Sequence, residues 1–172
     1  MNKLFFNYFF RFILVVLLQI SLLNKISLWG FVMPVVYIGF IFSLPFQTPR
    51  WAVILLGFLI GITIDFFTEV IGIHALAALV IAFIRPSIIR ILSTRKERED
   101  HLKPTLYDMR FVWYLQYAFL LTFVYHFVYF LVDVLSFYNF LQTMLVILSN
   151  TACSLVCIFL IQILFYKSSK RY

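Results

Sequence analysis

The sequence predicts an all-α polytopic membrane protein with six transmembrane helices, and three observations carry that expectation. Hydrophobic residues make up 64% of the 172-residue chain and charged residues 12%, with a mean hydropathy of +1.02; a soluble domain of this length cannot hide so much apolar surface. Several apolar stretches reach the ~20 residues needed to cross a bilayer. The basic residues gather at the ends of those stretches on one side, as membrane topology requires.

Hydropathy places the spans at about 4–23, 29–46, 51–69, 73–92, 111–132 and 140–166, in one integral membrane domain covering 1–172. Lys3 before the apolar run Leu4 to Leu23 resembles the start of a secretory signal. The following "NKISLWGF" lacks a small-x-small cleavage pattern, so the run reads as an uncleaved first span. Asn24-Lys25 separates spans one and two, "LPFQTPR" (44–50) makes a proline-bounded turn before span three, and "TEVIG" (68–72) is a short turn into span four. The long polar segment is the loop 93–110, with five basic against four acidic residues, read as a solvated face that a partner could dock on. Within it the Thr105-x-x-Asp108 spacing after Pro104 matches a capping box opening the fifth helix. Span six carries Ser149, Cys153 and Cys157 on one strip with Asn150 and Ser154 beside it, a pattern that predicts helix–helix contact.

Alternating the span ends between two sides sends Lys25 alone to one side and the rest of the fourteen basic residues to the other, among them Lys3, Arg11, Arg50, Arg85, Arg90, Arg95, Lys96, Arg98, Lys103 and Arg110 and the tail Lys167, Lys170 and Arg171. The positive-inside rule then puts both termini and the 93–110 loop in the cytoplasm. This distribution excludes a nucleic-acid partner as the reason for the +7 formal charge. Trp29, Trp51, Trp113, Tyr114 and Tyr166 fall near span ends, as interfacial aromatic belts do.

Ionisable residues inside spans cost ~2.5–3.5 kcal/mol each at the helix centre and are functional-site hypotheses by default. Arg11 and Arg85 lie in the inner halves of their spans, where their stems allow snorkelling, whereas Asp65, Glu69 and Asp133 lie toward the outer ends. Gly57, Gly61 and Asp65 share one helix face at four-residue spacing, and Gly57-x-x-x-Gly61 is the small-xxx-small pattern of close helix approach. Ala75, Ala78 and Ala82 offer a matching face on span four. Spans three and four are therefore expected to form a close hairpin with Asp65 hydrogen-bonded at its outer mouth, its partner being His74, Lys25 or a turn N–H. Asp65 either locks this hairpin, contacts a ligand or partner, or serves as a proton relay or catalytic acid.

No catalytic machinery is legible: there is no phosphate-binding glycine loop, nucleophile elbow or paired-acid site. His74, His101 and His126 lack metal-ligand spacing with one another or with the cysteines. The expectation is a chain that is not an enzyme and carries no cofactor or metal.

The stretch "GFLIGITIDFFTEVIGIHALAALVIAFIRP" (57–86) resembles the rod shape-determining protein MreD family, whose members carry a glycine-spaced third span ending in aspartate and a "GLHAL"-like start to the fourth, here "GIHAL". "LPFQTPRW" (44–51), "IRP" (84–86) and "KPTLYDMRFVWY" (103–114) resemble the branch with a basic loop after span four. Gly57, Gly61, Asp65, Gly72, His74 and Pro86 match the pattern, with Ala75, Ala78, Ala82 and Arg85 beside them as structural or partner-contact residues. The resemblance implies a bacterial inner-membrane scaffold of the cell-wall elongation complex, working in membrane lipid with a single-span MreC-like protein, the MreB filament and wall synthases. It also implies similarity in fold to the substrate-binding components of energy-coupling-factor vitamin transporters, which is the alternative reading. Those components dock through small residues on their first span, and "LFFNYFFRFILVVLLQISLL" has no alanine or glycine.

Overall fold

The structure, a computed structural model, describes residues 2–21, 32–68, 70, 72–94, 103–134 and 140–165. These form six helices: α1 (Asn2–Ser21), α2 (Ile38–Phe42), α3 (Arg50–Thr68), α4 (Ile73–Leu92), α5 (Phe111–Val134) and α6 (Phe140–Phe165). Lys25, Trp29, Glu69, Arg95, Lys96, Arg98, His101, Tyr166 and the tail Lys167, Lys170 and Arg171 lie outside the described residues.

Helices α3 to α6 each supply an apolar stretch of 19 to 24 residues, long enough to cross a membrane, and α1 a shorter one at Phe10–Ser21. Much of the apolar surface on these helices points outward: Phe66 is 81% exposed, Leu164 74% and Phe83 68%. In water such a surface would drive association; against lipid tails it is the ordinary outer coat of a bundle. These are the helices of a membrane protein.

The expected second span corrects itself in an informative way. Of the helix expected over 29–46, the described residues 32–46 are helical at Ile38–Phe42, and residues 33–36 run in non-helical backbone. Pro34 has no N–H and disfavours helical geometry at Met33 before it. Bare backbone of this kind is tolerated at membrane depth only when protein satisfies it, and three side chains do so. Asn150 Oδ1 accepts from Met33 N–H at 2.9 Å, Ser154 Oγ from Val35 N–H at 2.9 Å, and Gln19 Oε1 from Val36 N–H at 2.9 Å. The Gln19 amide also donates to the Pro34 carbonyl at 3.1 Å. The segment is thus threaded between α1 and α6, its backbone read by side chains rather than by its own ladder.

Contacts along α3, α4, α5 and α6 run antiparallel, so the bundle has two ends. The acidic end holds Asp65, His74 and Asp133; the basic end holds Arg50, Arg85 and Arg90. Val36, Tyr37, Ile38, Ile41, Ile60, Ile81, Tyr117 and Leu121 pack the core between them. At the basic end, Thr105 and Asp108 do not open α5. They sit buried in a separate turn closed by a bond from Met109 N–H to Thr105 O at 3.1 Å, and the helix restarts at Phe111. Tyr114 is fully buried rather than interfacial, because it lies on the face of α5 that meets Phe159 at a ring-centroid distance of 5.3 Å. Trp113 caps the end of α4 by donating to the Leu92 carbonyl at 2.8 Å, while Trp51 is exposed. Arg11 is half-buried at this end; burial, with Arg11 nearby, lowers the Lys103 ammonium below its usual range against the pull of Asp108.

Candidate functional site

The seam between α3 and α4 is built by absence of side chains. A Cβ at Gly57 would lie 2.8 Å from Ala82 Cβ and 3.1 Å from the Ala78 carbonyl oxygen. At Gly61 it would lie 2.5 Å from Ala75 Cα and 2.8 Å from the His74 carbonyl oxygen. The two backbones touch, and Ala75, Ala78 and Ala82 are the residues facing the glycines. This face is consumed inside the chain, so it is not open to a partner helix.

Close approach delivers Asp65 to the start of α4. Its Oδ1 accepts from His74 N–H at 3.0 Å and its Oδ2 from Ala75 N–H at 2.9 Å, and the residue is 5% exposed. Gly72, in the left-handed region at φ 77, turns the chain into α4 but has no side chain to cap it. Asp65 therefore serves as the N-cap from a neighbouring helix, filling two donors that the helix leaves orphaned. Two charge-assisted bonds at ~1.5–3 kcal/mol each, with the positive end of the helix macrodipole, offset the cost of the carboxylate, which is at most the ~2.5–3.5 kcal/mol of a helix centre. Of the partners anticipated for Asp65, backbone N–H groups receive it, one of them that of His74, and Lys25 lies outside the described residues.

The His74 ring points the other way, into the bundle. Its Nδ1 lies 2.6 Å from Tyr125 Oη and 3.2 Å from Tyr37 Oη, and the two hydroxyls are 2.5 Å apart. This triangle ties α4 to α5 and to the start of α2. Beside it His126 Nε2 meets Ser154 Oγ at 3.0 Å, joining α5 to the hydroxyl that already holds Val35. Above both lies a cavity of about 720 Å³ at the acidic end, walled by Gln19, Met33, His74, the α5 residues Tyr125, Tyr129 and Asp133, and Asn150. A second, shallower groove of about 650 Å³ runs on the outer face of α3 and α4, over Phe58, Ile62, Phe66, Ala75, Leu76 and Leu79.

Arg85 departs from the snorkelling expectation. It is 1% exposed and turned into the bundle, where Nε–H donates to Tyr117 Oη at 2.9 Å and the other arm donates to the Leu44 carbonyl. Tyr117 Oη in turn donates to the Phe42 carbonyl at 3.2 Å. Phe42 ends α2 and Leu44 follows its C-cap, so the guanidinium sits at the negative end of a short helix, binding the Leu44 carbonyl directly and the Phe42 carbonyl through Tyr117. Pro86 follows inside α4 and leaves the Ala82 carbonyl without its helical donor.

Gly57, Gly61, Asp65, Gly72, His74, Ala75, Ala78 and Ala82 thus come together in one seam, while Arg85 and Pro86 lie toward the other end of α4. On α6 the working residues are Asn150 and Ser154, buried, whereas Ser149 is exposed and Cys153 and Cys157 are half-buried thiols. Sequence reasoning missed Gln19, Tyr37, Tyr117 and Tyr125; a lone glutamine in an apolar span and a proline at 34 were the available signals. Among the described residues no three His, Cys, Asp or Glu side chains gather as a metal site. Comparison of the chain with protein-family models, curated proteins and solved structures gives no match in any of the three.

Proposed function

We propose that this chain is a non-enzymatic scaffold of the MreD type: a six-span subunit of the cell-wall elongation complex in the bacterial inner membrane, with both termini cytoplasmic. One observation carries the reading. Of the six residues that match the family pattern, Gly57, Gly61, Asp65 and His74 make the α3–α4 seam and its cap and Gly72 the turn between the helices, while Pro86 lies toward the other end of α4. A rigid hairpin of this kind has no chemistry to do, but it presents a fixed outer groove over Phe58, Ile62 and Leu79. In the proposal the transmembrane helix of a MreC-like protein lies there, and MreB and wall synthases assemble around the pair, with the 93–110 loop facing MreB.

The cavity at the acidic end favours a second reading, the substrate-binding component of an energy-coupling-factor transporter, because about 720 Å³ lies within the ordinary size of a small-ligand site. The bulky first span speaks against it. Purification of the tagged full-length protein from its native membrane in mild detergent separates the two. Recovery of a single-span coiled-coil protein, lost on Leu79→Trp in the groove, supports the scaffold. Recovery of a paired ATPase module with its coupling subunit overturns it.

A further inference from the structure

The cavity at the acidic end has a chemistry of its own. On α5 Tyr125, Tyr129 and Asp133 follow at four-residue spacing and form one stripe along its wall. The Tyr125 and Tyr129 rings stack at 22° with centroids 6.3 Å apart, and the His74 ring closes on Tyr129 at 4.8 Å. The stripe therefore runs from a fully buried tyrosine, past a partly buried one, to an exposed carboxylate at the rim. Val35 and Val146 add apolar surface to its walls.

The charge around this cavity has one sign. Asp133 is the charged residue among its described walls, and no lysine or arginine is among them. Helices α1, α3 and α5 end here with their negative dipole ends, while α4 and α6 begin here with their positive ends, that of α4 already capped by Asp65. Ring faces beside a carboxylate attract an organic cation, and an anion would meet no lysine or arginine among the described walls.

We propose that this cavity is a binding site for an organic ammonium group on an apolar body, with the cation between the Tyr129 ring and Asp133 and the apolar part directed toward Val35. The inference rests on the cavity alone and stands whether the chain is a scaffold or a transporter component.

The test is calorimetric titration of the full-length protein in detergent with benzyltrimethylammonium, with benzoate as the anion of similar size. Saturable binding of the cation and none of benzoate is expected. Tyr129→Ala and Asp133→Asn, neither of which removes a hydrogen-bonding group of the His74 triangle, each weaken binding about fivefold or more, with the thermal unfolding temperature of each variant confirming its fold. Met33→Trp, which fills the cavity from a half-exposed position, abolishes binding. Absence of saturable binding at millimolar probe, equal binding of benzoate, or binding indifferent to both α5 variants overturns the site. Native mass spectrometry of the purified protein identifies the source of the ammonium. A retained ethanolamine phospholipid that the probe displaces assigns the site to a lipid headgroup. Probe binding with no retained lipid assigns it to a free amine.

Discussion

Gly61→Ala probes the seam where the two backbones are tightest. The added Cβ would stand 2.5 Å from Ala75 Cα, 2.8 Å from the His74 carbonyl oxygen and 2.9 Å from Ala75 N. Carbon atoms pack at about 3.5–4.0 Å, so α3 and α4 must part by about 1 Å. Asp65 lies one turn further along the same face, and its bonds of 3.0 and 2.9 Å would stretch toward about 4 Å, beyond hydrogen-bond range. Overpacking strain of ~1–3 kcal/mol adds to partial loss of two charge-assisted bonds at ~1.5–3 kcal/mol each. The expected destabilisation is ~3–5 kcal/mol, read from reversible unfolding in mixed micelles of increasing dodecyl sulfate content. Gly57→Ala provides the internal control, because its nearest neighbour is the Ala82 side chain at 2.8 Å. Adding Ala82→Gly should therefore recover most of the stability that Gly57→Ala loses. Ala75→Gly should not rescue Gly61→Ala, since that clash is with Ala75 Cα and N. If Gly61→Ala unfolds within ~0.5 kcal/mol of the parent, or if Ala75→Gly restores it, the backbone-contact account of the seam is wrong.

The cap and the buried cation give two further expectations in the same assay. Asp65→Ala leaves the His74 and Ala75 N–H groups without an acceptor and should lower stability by ~1–3 kcal/mol or more, with Asp65→Asn intermediate because its amide keeps one acceptor and sets a donor against the other N–H; a parent-like Asp65→Ala would remove the cap from the account. Arg85→Lys keeps the charge but not the planar fork that reaches both Tyr117 and Leu44; it should cost ~1.5–3 kcal/mol and speed amide hydrogen exchange through residues 39–44, whereas unchanged exchange there would mean that the guanidinium does not hold the end of α2.

By itself the sequence determined that the chain is helical and membrane-embedded, where α1, α3, α4, α5 and α6 run to within a few residues, and that Gly57, Gly61, Asp65, Ala75, Ala78 and Ala82 share a seam. Those features follow from local rules: apolar runs of bilayer length, four-residue spacing on one helix face, and the cost of a carboxylate that has to be received somewhere near. Tertiary structure alone decided three things. It satisfied the non-helical backbone of residues 33–36, which Pro34 favours but cannot by itself hold, through partners 15 to 119 positions away on α1 and α6. It turned Arg85 inward, since a guanidinium follows open carbonyls, and those at Phe42 and Leu44 exist only because α2 ends there. It also gathered His74, Tyr125, Tyr129 and Asp133 around a cavity, a grouping set by how α4 and α5 cross, which spacing along one helix cannot report.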